Sequence, residues 1–341
     1  MGLLDSKMAE INKELGSNIV HWGIRENDYE RIPFTSPRLN YITFGGLPKG
    51  KLIEFYGEKG GGKTTTALDI VANYQHMSNS KSVLYIDAEN TLDMVWASKL
   101  GVDVDDMLLM TPEEQGAETI FKHASTLMTT GELGLVVIDS IGVLMSNREL
   151  EGTTEEKHFG GISMALTDFS KRAVGICNKT GCTLVGINQE RDVINSPYGA
   201  KKVTGGNAWQ YNVCVRLCFN KGYYFDEKYT KLPGNVENPF GNRVEVSMTK
   251  NKTCAPTRKT GFYTLRYDIG IDYFYDLTEV CLKYGVIEKS GSWFSLNDIT
   301  TGEQLKKLQG QAAVSKFFAD AENAGVLKMY EDYLEQKIKE S

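Results

Sequence analysis

A glycine-rich segment that contains a lysine and a run of threonines, GEKGGGKTTT at residues 57–66, has the residue types that hold phosphate. It matches the pattern G-x-x-x-x-G-K-[ST], follows a strand-like apolar run and precedes a helix-like run, which is the context that the pattern requires. Glycines let backbone N–H groups approach a phosphate, and the start of a helix adds a favourable partial charge. The segment therefore predicts a phosphate-binding loop in preference to a plain glycine turn.

The residues of this loop have separate expected roles, and ATP and Mg²⁺ are the expected cofactors. Lys63 is expected to reach the β- and γ-phosphates, and the Thr64 hydroxyl to bind the metal ion. The nucleotide-binding residues predicted in the loop are Gly57, Glu58, Lys59, Gly60, Gly61, Gly62, Lys63, Thr64 and Thr65.

Acidic residues stand at the ends of two predicted strands. Asp139 closes the apolar run LGLVVID, where it would contact the Mg²⁺ shell beside Thr64; the alternative is a helix cap for the segment after Ser140. The run SVLYIDAEN ends with Asp87 and Glu89 at the same edge of the sheet. Either acid could orient or deprotonate the attacking water, or could act only as a helix cap. Position alone modestly favours Glu89.

Composition indicates a folded chain with more than one domain. The 341 residues are 41% hydrophobic and 24% charged, values that are typical of globular proteins and not of disordered chains. No apolar run reaches the roughly 18 residues of a membrane span, so no membrane partner is expected. Because the net charge is -6, any contact with nucleic acid must use a local basic surface.

The six cysteines indicate a reducing compartment, and we expect a cytoplasmic protein. They form no C-x-x-C pair, and several lie in apolar runs where a small hydrophobic side chain suffices. Cys214 and Cys218 stand four positions apart, but packing in a strand is a better explanation for them than metal binding.

The order of strand-like and helix-like runs predicts an α/β fold. From Lys51 onward, near-continuous apolar strands alternate with helices, which is typical of a parallel sheet that is buried on both faces. After residue 213, strands follow one another with glycine and asparagine turns, which predicts an antiparallel extension of the sheet. The predicted elements are a helix at about 5–15 and an extended segment at 17–22, strands at 51–56, 82–87, 133–139 and 183–188, helices at 63–77, 94–100 and 161–178, and a mainly helical region from about 272.

Beyond these patterns, the sequence resembles the bacterial RecA-type homologous recombinases over roughly residues 10–300. The blocks that carry the resemblance, in order, are FYGEKGGGKTT, YIDAENTLD, VVIDSIGVL, INQ, TGGNA, VRL, KNKTCAP and GIDYF…IEKSGSWFS. It implies an α/β fold with a RecA-type P-loop ATPase core, a mostly parallel central sheet with an antiparallel extension, a short N-terminal helix and strand, and a small C-terminal α+β domain. The implied domains are 1–32 for subunit packing, 33–271 for the ATPase core and 272–341 for the C-terminal domain. The short C-terminal tail favours a phage-encoded member.

The resemblance also implies roles for residues of the ATP site. Glu89 matches the family's catalytic base, and Gln189 matches the glutamine that senses the γ-phosphate. The implied catalytic residues are Glu89, Lys63, Gln189, Lys250 and Lys252; the implied metal ligands are Thr64 and Asp139; and further nucleotide contacts are Asp93, Trp96, which replaces the family's usual tyrosine, and Tyr267. Lys250 and Lys252 alone suggest a solvated strand face, whereas in the family this pair reaches the ATP of the neighbouring subunit.

Two polar, glycine-containing loops, at 151–161 and 190–207, match the family's DNA-binding loops. Phe159 and Tyr198 would wedge between bases, although packing of these loop residues on the domain is the alternative. The implied DNA-binding residues are Phe159, Gly160, Lys171, Arg191, Tyr198, Lys201, Lys202, Gly205, Gly206 and Asn207. The sequence departs from the family at Gln210, where a lysine is usual, and at Met164, where an arginine is usual.

Together these features predict an ATP-dependent recombinase, a DNA-dependent ATPase that forms helical filaments on single-stranded DNA and exchanges strands with a homologous duplex. The expected partners are both forms of DNA, further copies of the chain, and a single-strand-binding or mediator protein. Two alternatives share the core: a hexameric DNA helicase or motor, and a regulatory P-loop ATPase that acts on a protein partner. The segments TGGNA and KNK argue against the helicase or motor, and the two candidate DNA loops argue against the regulatory ATPase.

Overall fold

The computed structural model describes residues 2–16, 19–23, 29–151, 161–192, 201–255 and 257–340. The chain divides into two compact units, Met1–Glu30 and Arg31–Ser341. Within the described residues, no helix is both long enough and apolar enough to cross a membrane.

The N-terminal unit contains one described helix, α1 (Leu3–Leu15), which ends where Gly16 takes a left-handed conformation. No side chain of α1 is buried. The predicted extended segment is not a strand in the described residues 19–23. The Asn12 side chain instead binds the backbone N–H and C=O of Val20, at 2.8 and 2.7 Å, and so replaces the strand neighbour that these groups would need.

The larger unit alternates strands and helices along most of its length. Its first described elements are β1 (Arg31–Ile32), α2 (Pro37–Thr43), β2 (Leu47–Pro48), β3 (Leu52–Gly57), α3 (Lys63–Gln75), β4 (Ser82–Asp87), α4 (Met94–Lys99), β5 (Met107–Met110), α5 (Ala117–Thr129), β6 (Leu133–Asp139), α6 (Asn147–Glu151) and α7 (Gly161–Thr180). They are followed by β7 (Thr183–Ile187), β8 (Glu190–Asp192), β9 (Lys201–Val203), α8 (Gly206–Asn212), β10 (Val215–Phe225), β11 (Lys231–Leu232), β12 (Gly241–Asn251), β13 (Thr260–Arg266) and β14 (Gly270–Ile271). The C-terminal elements are α9 (Tyr273–Lys283), β15 (Ile287–Ser290), β16 (Trp293–Asn297), β17 (Gln304–Gln309), α10 (Gln311–Ala319) and α11 (Ala324–Lys339).

Ten of the described strands form a large central sheet in the order β14-β13-β12-β10-β3-β7-β6-β4-β5, and β11 pairs with β10 outside this path. From β10 to β5 every neighbouring pair is parallel. Strands β12, β13 and β14 add to β10 in antiparallel pairs. The predicted parallel sheet with an antiparallel extension is therefore confirmed.

Apolar layers cover both faces of this sheet because its parallel strands carry apolar side chains on both sides. All seven residues of β6 are buried. Along β6, Leu135 and Val137 belong to the core cluster that contains α3, whereas Val136 and Ile138 belong to the cluster that contains α5 and α7. Side chains alternate between the faces of a strand, so a run of apolar residues serves both layers. The layers hold the ends of β3, β4 and β6 at one edge of the sheet.

The C-terminal elements have a core cluster of their own, formed by α9, the three-stranded sheet β15-β16-β17, α10 and α11. The mainly helical pattern from residue 272 missed these strands, since β17 is almost wholly exposed and shows no apolar alternation. The segment SGSW, residues 290–293, forms the turn that joins β15 to β16. The domain boundary at residue 272 stays a prediction.

Candidate nucleotide site and DNA-contacting segments

The phosphate-binding loop joins β3 to α3 and requires glycine at two close contacts. Gly57 has φ 141°, and a Cβ there would lie 2.0 Å from the carbonyl oxygen of Phe219. Gly62 has φ 90° at the start of α3, and a Cβ there would lie 2.6 Å from the hydroxyl of Tyr263. Any side chain at either position would push the loop away from β10 and β13, so glycine keeps the loop against the sheet.

Lys63 is the first residue of α3, and its side chain lies back across the loop. Its Nζ donates to the carbonyl oxygens of Gly57, at 3.2 Å, and Glu58, at 2.6 Å. Burial lowers the pKa of this ammonium group, while the nearby carboxylates of Asp139 and Glu89 act in the opposite direction. A buried cation whose hydrogen bonds within the described residues go to carbonyl oxygens is well suited to take an anionic phosphate oxygen as a partner.

Two oxygen donors suited to Mg²⁺ lie together at the start of α3 and the end of β6. The Thr64 hydroxyl donates to Asp139 Oδ2 at 2.6 Å, and the Tyr85 hydroxyl donates to the same oxygen at 2.9 Å. Burial raises the pKa of the Asp139 carboxyl, and the two hydrogen bonds oppose this rise. Mg²⁺ is usually bound by one or two protein oxygens together with phosphate oxygens and water, so this pair fits the ion.

Asp139 does not form the helix cap that was the alternative, because its Oδ2 is bound by Thr64 and Tyr85. The short 3₁₀ helix that follows, Ile141–Val143, begins after Ser140 and has no side-chain cap. No group of three or more His, Cys, Asp or Glu side chains that could hold a metal ion occurs in the part of the chain that the structure describes. Cys218 lies in β10, and Cys214 is buried just before that strand begins.

The two candidate bases occupy different surroundings at the edge of the sheet. Asp87 is buried, and its Oδ2 accepts a hydrogen bond from the backbone of Leu92 at 2.9 Å, so it closes the turn after β4. Glu89 Oε1 accepts hydrogen bonds from the Ser140 hydroxyl, at 2.7 Å, and from Gln189 Nε2, at 2.9 Å. Glu89 is therefore held at the rim of the loop by the glutamine for which the family resemblance implies a sensor role.

A cavity of about 300 Å³ lies between the loop and these side chains. It is lined by Lys59, Gly60, Gly61, Gly62, Lys63, Thr64, Thr65, Glu89, Asp139, Ile187, Gln189, Lys221, Asn242, Leu265 and Tyr267. Most of the residues predicted for the nucleotide thus surround one space. Gly57 and Glu58 lie behind it, where they hold Lys63.

Two predicted nucleotide contacts, Asp93 and Trp96, do not line this cavity. Asp93 caps α4 by accepting hydrogen bonds from the backbone of Val95 and Trp96, at 2.9 and 3.0 Å. Trp96 is half-buried against the core cluster beside α3. Their contact with adenine stays a prediction.

Lys221 and Asn242 line the cavity although the sequence did not single them out. Strands β10 and β12 bring them there, and the Tyr267 hydroxyl donates to Asn242 Oδ1 at 2.8 Å. The backbone N–H of Lys221 donates to Glu58 Oε1 at 2.6 Å. No local motif marks either residue, because strand pairing alone brings them to the loop.

Lys250 and Lys252 lie away from the cavity of their own chain and contact the last turn of α8. Lys250 Nζ donates to the carbonyl oxygens of Gln210, at 2.6 Å, and Tyr211, at 3.1 Å. Lys252 Nζ donates to the same Tyr211 oxygen at 2.9 Å. Burial, followed by the nearby charge of Lys252, lowers the pKa of Lys250. The carboxyl end of a helix is a favourable place for these cations.

The predicted DNA-contacting residues are only partly described. Gly205 and Gly206, with φ 105° and 70°, begin α8; Asn207 and Lys171 are exposed. Strands β8 and β9 pair antiparallel, and they place the backbones of Arg191 and Lys202 opposite each other and Lys201 beside Asp192. Phe159, Gly160 and Tyr198 lie outside the described residues. Met164 is 64% exposed on α7, and Gln210 lies on α8.

The fold and the cavity define an α/β protein with a phosphate-binding loop at the carboxyl edge of a mostly parallel sheet. A family model described as the RecA N-terminal domain matches residues 3–272. Protein RecA of Mycobacterium ulcerans is 35% identical over 344 residues, which cover 98% of this chain and 92% of that protein. Protein RecA of Ruminococcus albus is 33% identical over 304 residues, covering 88% and 73%. The chain belongs to the RecA family of ATP-dependent recombinases.

Proposed function

We propose that this chain is a DNA-dependent ATPase that forms helical filaments on single-stranded DNA and exchanges strands with a homologous duplex. The observation that carries the proposal is the hydrogen bond from Gln189 to Glu89. Gln189 lies between β7 and β8, at the start of the second candidate DNA loop, so one side chain joins the cavity to that loop. Such a contact lets the state of the nucleotide and the position of the loop depend on each other.

Within the cavity, each side chain has a separate task. When bound, ATP supplies the phosphoanhydride bond that is cleaved, and Mg²⁺ supplies positive charge that neutralises the phosphate oxygens. Lys63 would bind phosphate oxygens, while Thr64 and Asp139 would hold the metal ion. Glu89 would take the proton of the attacking water, and the Ser140 hydroxyl and Gln189 amide fix its carboxylate in position.

A second copy of the chain would complete the ATP site. Lys250 and Lys252 would reach the ATP of the neighbouring protomer and neutralise transition-state charge there, as an arginine finger does. Helix α1 has no buried residue and exposes Leu3, Leu4, Ile11 and Leu15, which suits it to pack on an adjacent protomer. Single-stranded and duplex DNA, a mediator or single-strand-binding protein, and a cytoplasmic location complete the proposal.

Substitution of Glu89 tests the catalytic assignment. We expect Glu89→Gln to lower ATP turnover on single-stranded DNA by about 10²- to 10⁴-fold, the usual contribution of a general base. Asp87→Asn is the matched control, since this acid lies at the same edge of the sheet and binds the backbone of a turn. Turnover of Glu89→Gln at the wild-type rate would show that another group acts as the base.

Electron microscopy tests the assembly. The protein with single-stranded DNA and a non-hydrolysable ATP analogue is expected to form helical filaments. Closed rings would favour the helicase or motor, and the failure to bind DNA would favour the regulatory ATPase. A strand-exchange assay between circular single-stranded DNA and a homologous linear duplex then tests the reaction itself.

A further inference from the structure

A buried ion pair lies behind the nucleotide cavity, between the strand that leads into the phosphate loop and its neighbour. Glu54 on β3 pairs with Arg216 Nε on β10, and the two residues stand opposite each other in the sheet. The Glu54 side chain is 0% exposed and that of Arg216 is 15% exposed. Burying a charge pair is expensive, and a well-packed apolar pair is often no less stable, so the presence of this one calls for another explanation.

One end of the pair is tied to the second candidate DNA loop through Asn188. Asn188 is fully buried, and its Nδ2 donates to Glu54 Oε1 at 3.0 Å and to the backbone carbonyl of Thr204 at 2.8 Å. Thr204 directly follows β9, where the loop returns to the core, and Asn188 directly precedes Gln189. Asn188 thus joins the loop end directly to the carboxylate of Glu54.

The other end of the pair is tied to the lysine pair through α8. Arg216 Nη1 donates to Gln210 Oε1 at 3.4 Å, and the carbonyl oxygen of Gln210 accepts from Lys250 Nζ. Arg216 also stands opposite Lys250 across the β10–β12 pair, and its guanidinium lies 4.4 Å from the centre of the Tyr56 ring. The ring and the carboxylate fix the plane of the guanidinium, so little side-chain freedom is left to Arg216.

One polar atom of this network lacks a hydrogen-bond partner among the described residues. Among the described residues, Asn188 Oδ1 is a buried acceptor that no donor contacts. An unsatisfied buried acceptor raises the energy of the arrangement that contains it. A second arrangement, in which Asn188 Oδ1 gains a donor, would relieve this cost, so the network has the character of a two-state element.

We propose that Glu54 and Arg216 are positioning residues that couple DNA in the second loop to the placement of Lys250 and Lys252. The inference rests on the proposed DNA-dependent ATPase activity and on the action of the lysines in a neighbouring site. Neither residue of the ion pair lines the nucleotide cavity. DNA that displaces Thr204 shifts Asn188, Glu54 and Arg216 together, and α8 then releases the lysines toward the adjacent protomer.

The experiment measures kcat and KM for ATP with and without single-stranded DNA in Glu54→Gln. The amide keeps an acceptor for Asn188 but removes the charge that holds Arg216. We expect KM and the DNA-free rate to stay within about twofold of the wild type, and the stimulation by DNA to fall about 10-fold, which is the size of effect that coupling mutations have. Asp276→Asn is the matched control: this carboxylate is also fully buried but contacts Ser36 and Thr264, and stimulation should be unchanged.

A double variant separates coupling from simple loss of structure. Glu54→Gln with Arg216→Met leaves no unpaired buried charge, so we expect its melting temperature to return toward the wild-type value. If the ion pair only stabilised the fold, DNA stimulation would return as well; coupling requires it to stay about 10-fold low. Stimulation at the wild-type level in the double variant would overturn the coupling inference and leave the proposed function standing. A wild-type protein that DNA does not stimulate would refute the proposed function, and the coupling with it.

Discussion

Asp69 provides a test of the structure that needs no ligand. It lies on α3, one turn beyond the phosphate loop, and is 2% exposed. Its carboxylate accepts hydrogen bonds from the backbone of Thr35, at 3.1 Å, and from Asn73 Nδ2, at 3.1 Å. Burial raises the pKa of Asp69 from its ordinary value of 3.8 to about 6, because the hydrogen bonds compensate only in part for the loss of water.

This pKa fixes the sign and the size of a pH effect. Between pH 3.8 and about 6 the folded protein keeps a proton on Asp69 that the unfolded chain has already released. The free energy of unfolding therefore falls as the pH rises through this window, and the contribution is fully present only below the unfolded pKa. The difference between the two pKa values corresponds to about 3 kcal/mol at most.

Urea unfolding of the wild type and of Asp69→Asn at pH 4, 5, 6 and 7 measures this contribution. Asparagine does not titrate, and subtracting one curve from the other cancels other groups such as Asp276, whose pKa burial also raises. The stability of the wild type relative to the variant should fall by about 2 to 3 kcal/mol from pH 4 to pH 7. A constant difference across this range would show that Asp69 ionises normally in the folded state, which contradicts its described surroundings.

Two further predictions concern the sheet and the shared site. Gly186→Ala would place a Cβ 2.6 Å from Ile141 Cδ1. We therefore expect the free energy of unfolding, measured with urea, to fall by about 1 to 3 kcal/mol. Unchanged stability would show that the core has room for the methyl group. The Lys250→Ala/Lys252→Ala protein and the Glu89→Gln protein should each hydrolyse ATP poorly on DNA. A mixture of the two should recover turnover, because each protein supplies the side chains that the other lacks. A mixture as inactive as its components would place the lysines and the base in the site of one chain.

The loop and the candidate metal ligand Thr64 within it could be predicted because their signal is local. The seven residues from Lys59 to Thr65 are contiguous, and the strand and helix that flank them can be recognised from the same stretch of sequence. Asp139 follows from the rule that parallel strands end at a common edge, and the same rule favours Glu89 only modestly over Asp87. Their partner Gln189 required the resemblance, since no pattern within INQ marks it.

The other parts of the site and of the fold depended on pairing between segments that are distant in the sequence. Lys221 and Asn242 reach the cavity through β10 and β12, whose register no local pattern reveals. Strand β5 is short and has exposed Leu108 and Leu109, and the pattern from residue 82 to 139 passed over it and over α5. The ion pair of Glu54 and Arg216 was equally hidden, since a glutamate within an apolar strand has no partner in its own neighbourhood.

Lys250 and Lys252 contact the last turn of α8, away from their own chain's cavity, and this placement has a consequence for the ends of the proposed filament. If each cavity is completed by the next protomer, the protomer at one end always holds a nucleotide that nothing completes. Hydrolysis per protomer then rises with filament length and is lowest in short filaments. Each break in a filament creates one more silent site, so the rate of ATP consumption reports how many ends exist as well as how much protein is bound.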